Sequence, residues 1–193
     1  GCYDPARILK RLSFIVKTTL QQDTDYALSD DGLDAAICFI RCPLPQGTGN
    51  GESATGERQL ITENSQLTFA GARLPLFYFY NDEVMVIKGD RQSIGYKKSD
   101  LKFNFTNHTV CIRAGISFYM ASDGYIDQLD KEDKVRFGTR RFRNLIKKNA
   151  QLSFGKQRDV FLRAFHDHKG ENEIQDDVTV VGFGWQLTVD GCY

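Results

Sequence analysis

The stretch Phe118-Tyr119-Met120-Ala121-Ser122-Asp123-Gly124-Tyr125-Ile126-Asp127-Gln128 decides how this chain is read. Its first residues continue an apolar run that starts at Ile116 and is long enough for a buried strand. The run stops at Ser122-Asp123-Gly124, and Asp127 follows one helical turn later. A second acidic cluster, Gln175-Asp176-Asp177-Val178-Thr179, stands directly before and into a last apolar segment, Val178–Phe183. A carboxylate at the end of a buried strand is held rigidly and partly desolvated, which suits a hard divalent cation. A glycine after the aspartate lets backbone or ligand approach closely. On spacing alone the plainer reading stays open, because Asp-Gly also makes a turn and Asp-Asp also caps a strand or starts a bulge.

Outward from this stretch the chain alternates in a readable way. Asp4-Pro5 supplies an N-cap and a first-turn proline for a helix whose apolar positions are Ile8, Leu9, Leu12, Ile15, Val16 and Leu20. Arg7, Lys10, Arg11 and Lys17 fall elsewhere and read as a solvated face. Asp30-Asp31-Gly32 is a turn, and Leu33–Ile40 a mostly buried strand. Residues 41 to about 58, with Gly47, Gly49, Gly51 and Gly56, read as a flexible loop. Leu67–Leu74 is a strand. Leu76–Tyr80 and Val84–Ile87 form a hairpin around Asn81-Asp82. Val110–Ala114 and Ile116–Ala121 read as another antiparallel pair around Gly115. Thr139 caps a helix to about Ala150 with Phe142, Leu145 and Ile146 inward and Arg140, Arg141, Arg143, Lys147 and Lys148 outside. A second helix covers about Lys156–His168. Strands grouped together and helices grouped together predict an α+β fold with antiparallel sheet. Its core is expected to include Ala36, Cys38, Phe69, Phe77, Phe79, Val86, Cys111, Phe118, Met120, Leu145, Phe161, Phe165 and Val180.

Composition narrows the function classes. The 193 residues suit one domain with a substantial core. Lys+Arg and Asp+Glu both number 25, so no net field steers the chain to nucleic acid or an anionic membrane. No apolar run approaches the length of a spanning helix. The five cysteines, Cys2, Cys38, Cys42, Cys111 and Cys192, contain no C-x-x-C pair, which points away from zinc. Cys38 and Cys111 sit in apolar runs as small hydrophobes, which suits a reducing cytoplasm.

Taken together, the motifs resemble the PPM-type metal-dependent protein phosphatases, and more closely their bacterial SpoIIE-like branch. Phe69-Ala70-Gly71-Ala72-Arg73-Leu74-Pro75-Leu76 is similar to that branch's A-G-(A/H)-x-x-P-L hairpin. Lys88-Gly89-Asp90-Arg91-Gln92-Ser93-Ile94-Gly95 is similar to its G-x-x-x-x-(I/L)-G loop. Residues 119–127 resemble Y-x-x-(S/T)-D-G-x-x-(D/E), and residues 176–179 resemble D-D-(V/I)-T. The four motifs stand in the branch's order and spacing over about residues 4–185.

The resemblance implies an antiparallel β-sandwich flanked by helices, and hydrolysis of phosphoserine or phosphothreonine by water activated on two Mn²⁺ or Mg²⁺ ions. It implies Asp123 and Asp176 as metal ligands, Asp127 as a position that helps hold a weaker further ion, Gly124 as the close-approach glycine, and Asp177 as a supporting residue or strand cap. It implies a phosphorylated protein partner, such as an anti-sigma-factor antagonist. The branch carries two upstream motifs, a Gly-Gly-Asp strand end and an Asp-x-x-Gly-His-Gly turn, which supply the carboxylate that bridges the metals. Neither motif occurs in residues 1–193, so the chain is expected to correspond to the C-terminal two-thirds of a phosphatase domain, with N-terminal strands missing. Sheet edges left open in this way predict self-association as a homodimer. The competing, non-enzymatic expectation is a pseudophosphatase, a binding module in a signalling protein.

Overall fold

The structure, a computed structural model, describes residues 3–42, 65–132 and 134–184. Its elements in chain order are α1 (Pro5–Thr19), β1 (Ala35–Arg41), β2 (Gln66–Ala72), β3 (Leu76–Tyr80), β4 (Glu83–Ile87), β5 (His108–Cys111), β6 (Ser117–Ala121), α2 (Asp123–Ile126), α3 (Gly138–Asn149), α4 (Phe154–Lys169) and β7 (Val180–Gly184). All strand pairings within the two sheets are antiparallel, as the grouping of elements in the sequence predicts. The chain forms two compact units, Gly1–Leu74 with Lys88–Ala114, and Pro75–Ile87 with Gly115–Tyr193. The glycine-rich segment expected to be a flexible loop lies, from residue 43 onward, outside the described residues. Among the described residues no helix is long and apolar enough to cross a membrane.

The first unit holds a three-stranded sheet in the order β1-β2-β5, with α1 against it. Asp4 caps α1 by accepting a hydrogen bond from the Arg7 backbone N–H at 3.1 Å. The buried face of α1 is turned from the one expected. Ala6, Leu9, Ser13 and Lys17 are buried, while Ile15 and Leu20 are 47% and 41% exposed. Ala6 and Leu9 share a core with Ala70 and Ala72 of β2, and small residues on both elements let them approach closely. Lys17 is therefore no member of a solvated face. Its ammonium donates to the carbonyls of Lys97 and Ser99, both at 2.6 Å, which satisfies a buried charge with two backbone acceptors.

The second unit holds the sheet β4-β3-β6-β7. The β3–β4 hairpin is as predicted. Asn81 and Asp82 both have positive φ, 50° and 64°, the pair a tight I′ turn demands. Phe77, Phe79, Tyr119, Tyr125, Phe137, Phe142, Ile146, Phe161 and Phe165 form the core of this unit. Helix α3 contributes Phe142 and Ile146, and α4 contributes Phe161 and Phe165.

Three expectations are corrected. Strands β5 and β6 do not pair with each other; β5 joins β2, and β6 lies between β3 and β7. Only Gly115 of the connecting residues has positive φ, 82°, whereas a two-residue reversal at Ala114-Gly115 needs it at the first position as well or instead. Cys111 is exposed, because the alternation of the edge strand β5 turns Thr109 and Cys111 outward. Thr139 is not the cap of α3; Phe137 occupies that position without a side-chain cap, its ring fixed against Tyr125 at 5.0 Å and His168 at 5.3 Å. Of the predicted core, Phe69, Phe77, Phe79, Phe118, Phe161 and Phe165 are buried, while Ala36, Cys38, Val86, Met120, Leu145 and Val180 are half-buried.

Candidate metal centre

The acidic clusters meet because β6 and β7 are neighbours. Ala121, the last residue of β6, is opposite Val180, the first of β7. The segment before β7 therefore runs beside the segment after β6. Ser122 joins the two. Its backbone N–H donates to Thr179 O at 2.9 Å, its hydroxyl donates to Asp177 O at 2.8 Å, and its Oγ accepts from the Thr179 N–H at 2.9 Å.

Gly124 sits where these segments come closest. A Cβ there would lie 2.4 Å from Asp177 O and 2.9 Å from Asp176 O, so any side chain would collide with backbone. The short helix α2 is held in place by Tyr125, whose ring stacks on Phe165 at 5.2 Å. Its hydroxyl donates to Phe161 O at 2.8 Å, and burial pushes its pKa up. The buried Gln128, just past α2, donates to Glu173 O at 3.2 Å and ties the same loop to the segment that leads into residues 176–179.

The Asp123 and Asp176 side chains are exposed. Each carboxylate uses one oxygen on the next backbone N–H: Gly124 N donates to Asp123 Oδ1 at 3.0 Å, and Asp177 N to Asp176 Oδ1 at 2.7 Å. The second oxygen of each has no hydrogen-bond partner among the described residues. Asp177 contributes its carbonyl to the Ser122 junction. Asp127 ends α2, and its carboxylate pairs with Arg136 Nη1 at 3.0 Å. Among the described residues no three His, Cys, Asp or Glu side chains gather into a cluster that could hold a metal ion.

The donor set still fits a hard cation. Mg²⁺ and similar ions keep several waters and are commonly bound through one or two carboxylates plus substrate phosphate. Two solvent-facing carboxylates, carried on loops whose backbones come close at Gly124, match that demand. The sequence pattern points to Asp123, Gly124, Asp127, Asp176 and Asp177. It gives Ser122 no task, although a serine between a strand and an Asp-Gly turn is a ready local cap for neighbouring backbone. His166 and His168 lie in the last turn of α4, and His168 contacts Gln128 O at 3.2 Å rather than either aspartate.

The fold is that of known phosphatases. The SiaA-PP2C domain of Pseudomonas aeruginosa superposes with a TM-score of 0.70 at 26% sequence identity, over 95% of this chain and 62% of that one. The phosphatase domain of the cell fate determinant SpoIIE from Bacillus subtilis, in a Mn-presoaked structure, matches all of this chain and 78% of its own, with a TM-score of 0.53 and 16% identity. This chain thus spans 62% of the length of the SiaA domain it matches. No curated protein sequence matches it. These likenesses define a PP2C-like phosphatase fold. The model of the family described as Stage II sporulation protein E (SpoIIE) matches residues 2–186, and the chain belongs to that family.

Proposed function

We propose that this chain carries part of the catalytic surface of a metal-dependent phosphatase that hydrolyses phosphoserine or phosphothreonine in a regulatory protein. The observation that carries this reading is the junction of Gly124 with the Asp176 and Asp177 backbone, which sets two carboxylate-bearing loops edge to edge. Asp123 and Asp176 would hold Mn²⁺ or Mg²⁺. When bound, such an ion supplies positive charge for phosphoryl oxygens and lowers the pKa of a bound water.

The chain's own residues prepare this chemistry. Ser122 fixes the start of β7 against the end of β6 through three hydrogen bonds. Tyr125 and Gln128 anchor α2 from below, so that Asp123 is carried on a rigid support. Arg136 holds the Asp127 carboxylate in an exposed ion pair, and an exposed pair costs little to open. Asp127 is thus available to a further ion only when that pair separates. The substrate we infer is a phosphorylated partner-switching protein of the anti-sigma-factor antagonist kind, on the strength of SpoIIE family membership.

A second reading is a non-catalytic binding module, favoured by the ion pair that occupies the Asp127 carboxylate and leaves Asp123 and Asp176 as the two carboxylates on the adjoining loops. Turnover of a phosphoserine peptide with Mn²⁺ separates the two. Activity that disappears with Asp123→Asn supports the phosphatase. A chain that binds Mn²⁺ yet releases no phosphate from any phosphoserine or phosphothreonine peptide would leave the binding module standing.

A further inference from the structure

Helix α3 carries five cations, Arg140, Arg141, Arg143, Lys147 and Lys148, and no acidic residue, in a chain whose charges balance as a whole. Three of them are not scattered. Arg140, Arg143 and Lys147, with Asn144, recur at i, i+3, i+4 and i+7, so they form one stripe about 10 Å long. The stripe lines an open groove of about 550 Å³ whose other wall is Glu83 and Val84 of β4. Arg143 is braced there, donating from Nη2 to Val84 O at 3.0 Å. Arg140 and Lys147 have no ion-pair or hydrogen-bond partner among the described residues.

This arrangement works against the helix that bears it. Like charges three and four residues apart repel. The first turn holds Arg140 and Arg141 where the helix dipole favours acids, and no acidic residue is present there, although Lys147 and Lys148 in the last turn suit the dipole.

We infer that this groove docks an acidic segment of a protein partner. Two other polyanions fit less well. Single-stranded nucleic acid is held by aromatic side chains interleaved with cations, and no aromatic residue lines this groove. An anionic membrane surface is entered by large apolar side chains beside the cations, and Val84, which is buried, is the only apolar residue in the lining. Glu83, the one acid in the lining, repels any polyanion, but a peptide can answer it with backbone N–H donors, which a phosphodiester chain lacks. The inference does not depend on the metal centre or on turnover.

The test is binding of a fluorescein-labelled twelve-residue Glu/Asp-rich peptide to the full chain at low salt, read by anisotropy. Single-stranded dT12 and vesicles containing phosphatidylserine and phosphatidylcholine serve as comparators. The peptide should bind, release as salt is raised, and shift the amide resonances of Glu83, Val84 and α3. Arg140→Gln with Lys147→Gln should weaken it by about 2- to 30-fold, the range that two exposed ion pairs span. Arg140→Glu should also weaken binding while raising thermal stability, because it places an acid in the first turn; this separates loss of binding from loss of fold. Undetectable peptide binding, unchanged affinity in the double variant, or tighter binding of dT12 or vesicles through the same residues would overturn the inference.

Discussion

Gly124→Ala tests the junction on which the candidate centre rests. The added methyl would stand 2.4 Å from Asp177 O, 2.9 Å from Asp176 O and 2.9 Å from Asp177 C, all inside the 3.4 Å at which ordinary contact begins, the first by 1 Å. All three atoms are backbone, so no flexible side chain can yield. The segment 176–177 must retreat, and the Ser122 hydrogen bonds to Asp177 O and Thr179, now 2.8 to 2.9 Å, must stretch or break. Overpacking typically costs about 1–3 kcal/mol, and each hydrogen bond lost about 0.5–1.5 kcal/mol. Against this, alanine in a helix regains about 1 kcal/mol over glycine. With one of these bonds lost the net expectation is a destabilisation of about 0.5–3.5 kcal/mol, together with weaker Mn²⁺ binding as the two loops move apart. Gly155→Ala in α4 is the control, because nothing lies within 4 Å of a Cβ there. It should be neutral or stabilising. Urea denaturation of both variants and of the parent reads the difference directly. Equal stability of the two variants, with Mn²⁺ binding of Gly124→Ala undiminished, would refute the reasoning.

Lys17→Met keeps the packing of the side chain but strips the Lys97 and Ser99 carbonyls of a donor. It should cost about 1–3 kcal/mol by urea denaturation, the usual penalty for leaving buried polar groups unpaired. Burial pushes the Cys38 thiol up to about 12, so in the native protein at pH 8 iodoacetamide should label exposed Cys111 and Cys42 well before Cys38, as mapped by peptide mass spectrometry. Because a raised thiol pKa favours the folded state only while the thiol is neutral, that contribution is full below about pH 8.5 and fades as pH rises towards 12. The Asn107 amide and the Arg7 N–H hold the Asp4 carboxyl below the ordinary carboxylate range. Asp4→Ala should therefore cost about 1 kcal/mol near neutrality, and the difference from wild type should shrink as pH falls through the lowered value, where the cap is protonated.

Much of the fold was legible because its signals are local. Asp4-Pro5, Asn81-Asp82 and the apolar runs of β2, β3 and β6 each carry their own chemistry of capping, turning or burial, and each formed as read. What escaped depends on partners distant in sequence. Nothing within α1 says that Ser13 and Lys17 face inward, since Lys17 is stabilised by carbonyls 80 and 82 residues away. Likewise, Gly115 looks like a hairpin turn until its neighbouring φ values and the pairing of β5 with β2 are known. The candidate site shows the same division. Ser-Asp-Gly and Asp-Asp-Val-Thr could be picked out by residue type and order, and β6–β7 pairing brings them side by side. The roles of Ser122 as the link between them and of Arg136 as the partner of Asp127 follow from contacts that span up to 57 residues, and no periodicity encodes these.

Binding of Mn²⁺, followed by electron paramagnetic resonance of the free ion, tests most directly whether Asp123 and Asp176 serve one site. The titration needs wild type, Asp123→Asn, Asp176→Asn and the double variant. If both carboxylates hold the same ion, each single substitution removes most of the binding and the double variant loses little more, since groups that act as a unit are strongly non-additive. Wild-type affinity in either single variant, or two losses that simply multiply in the double variant, would contradict the shared site.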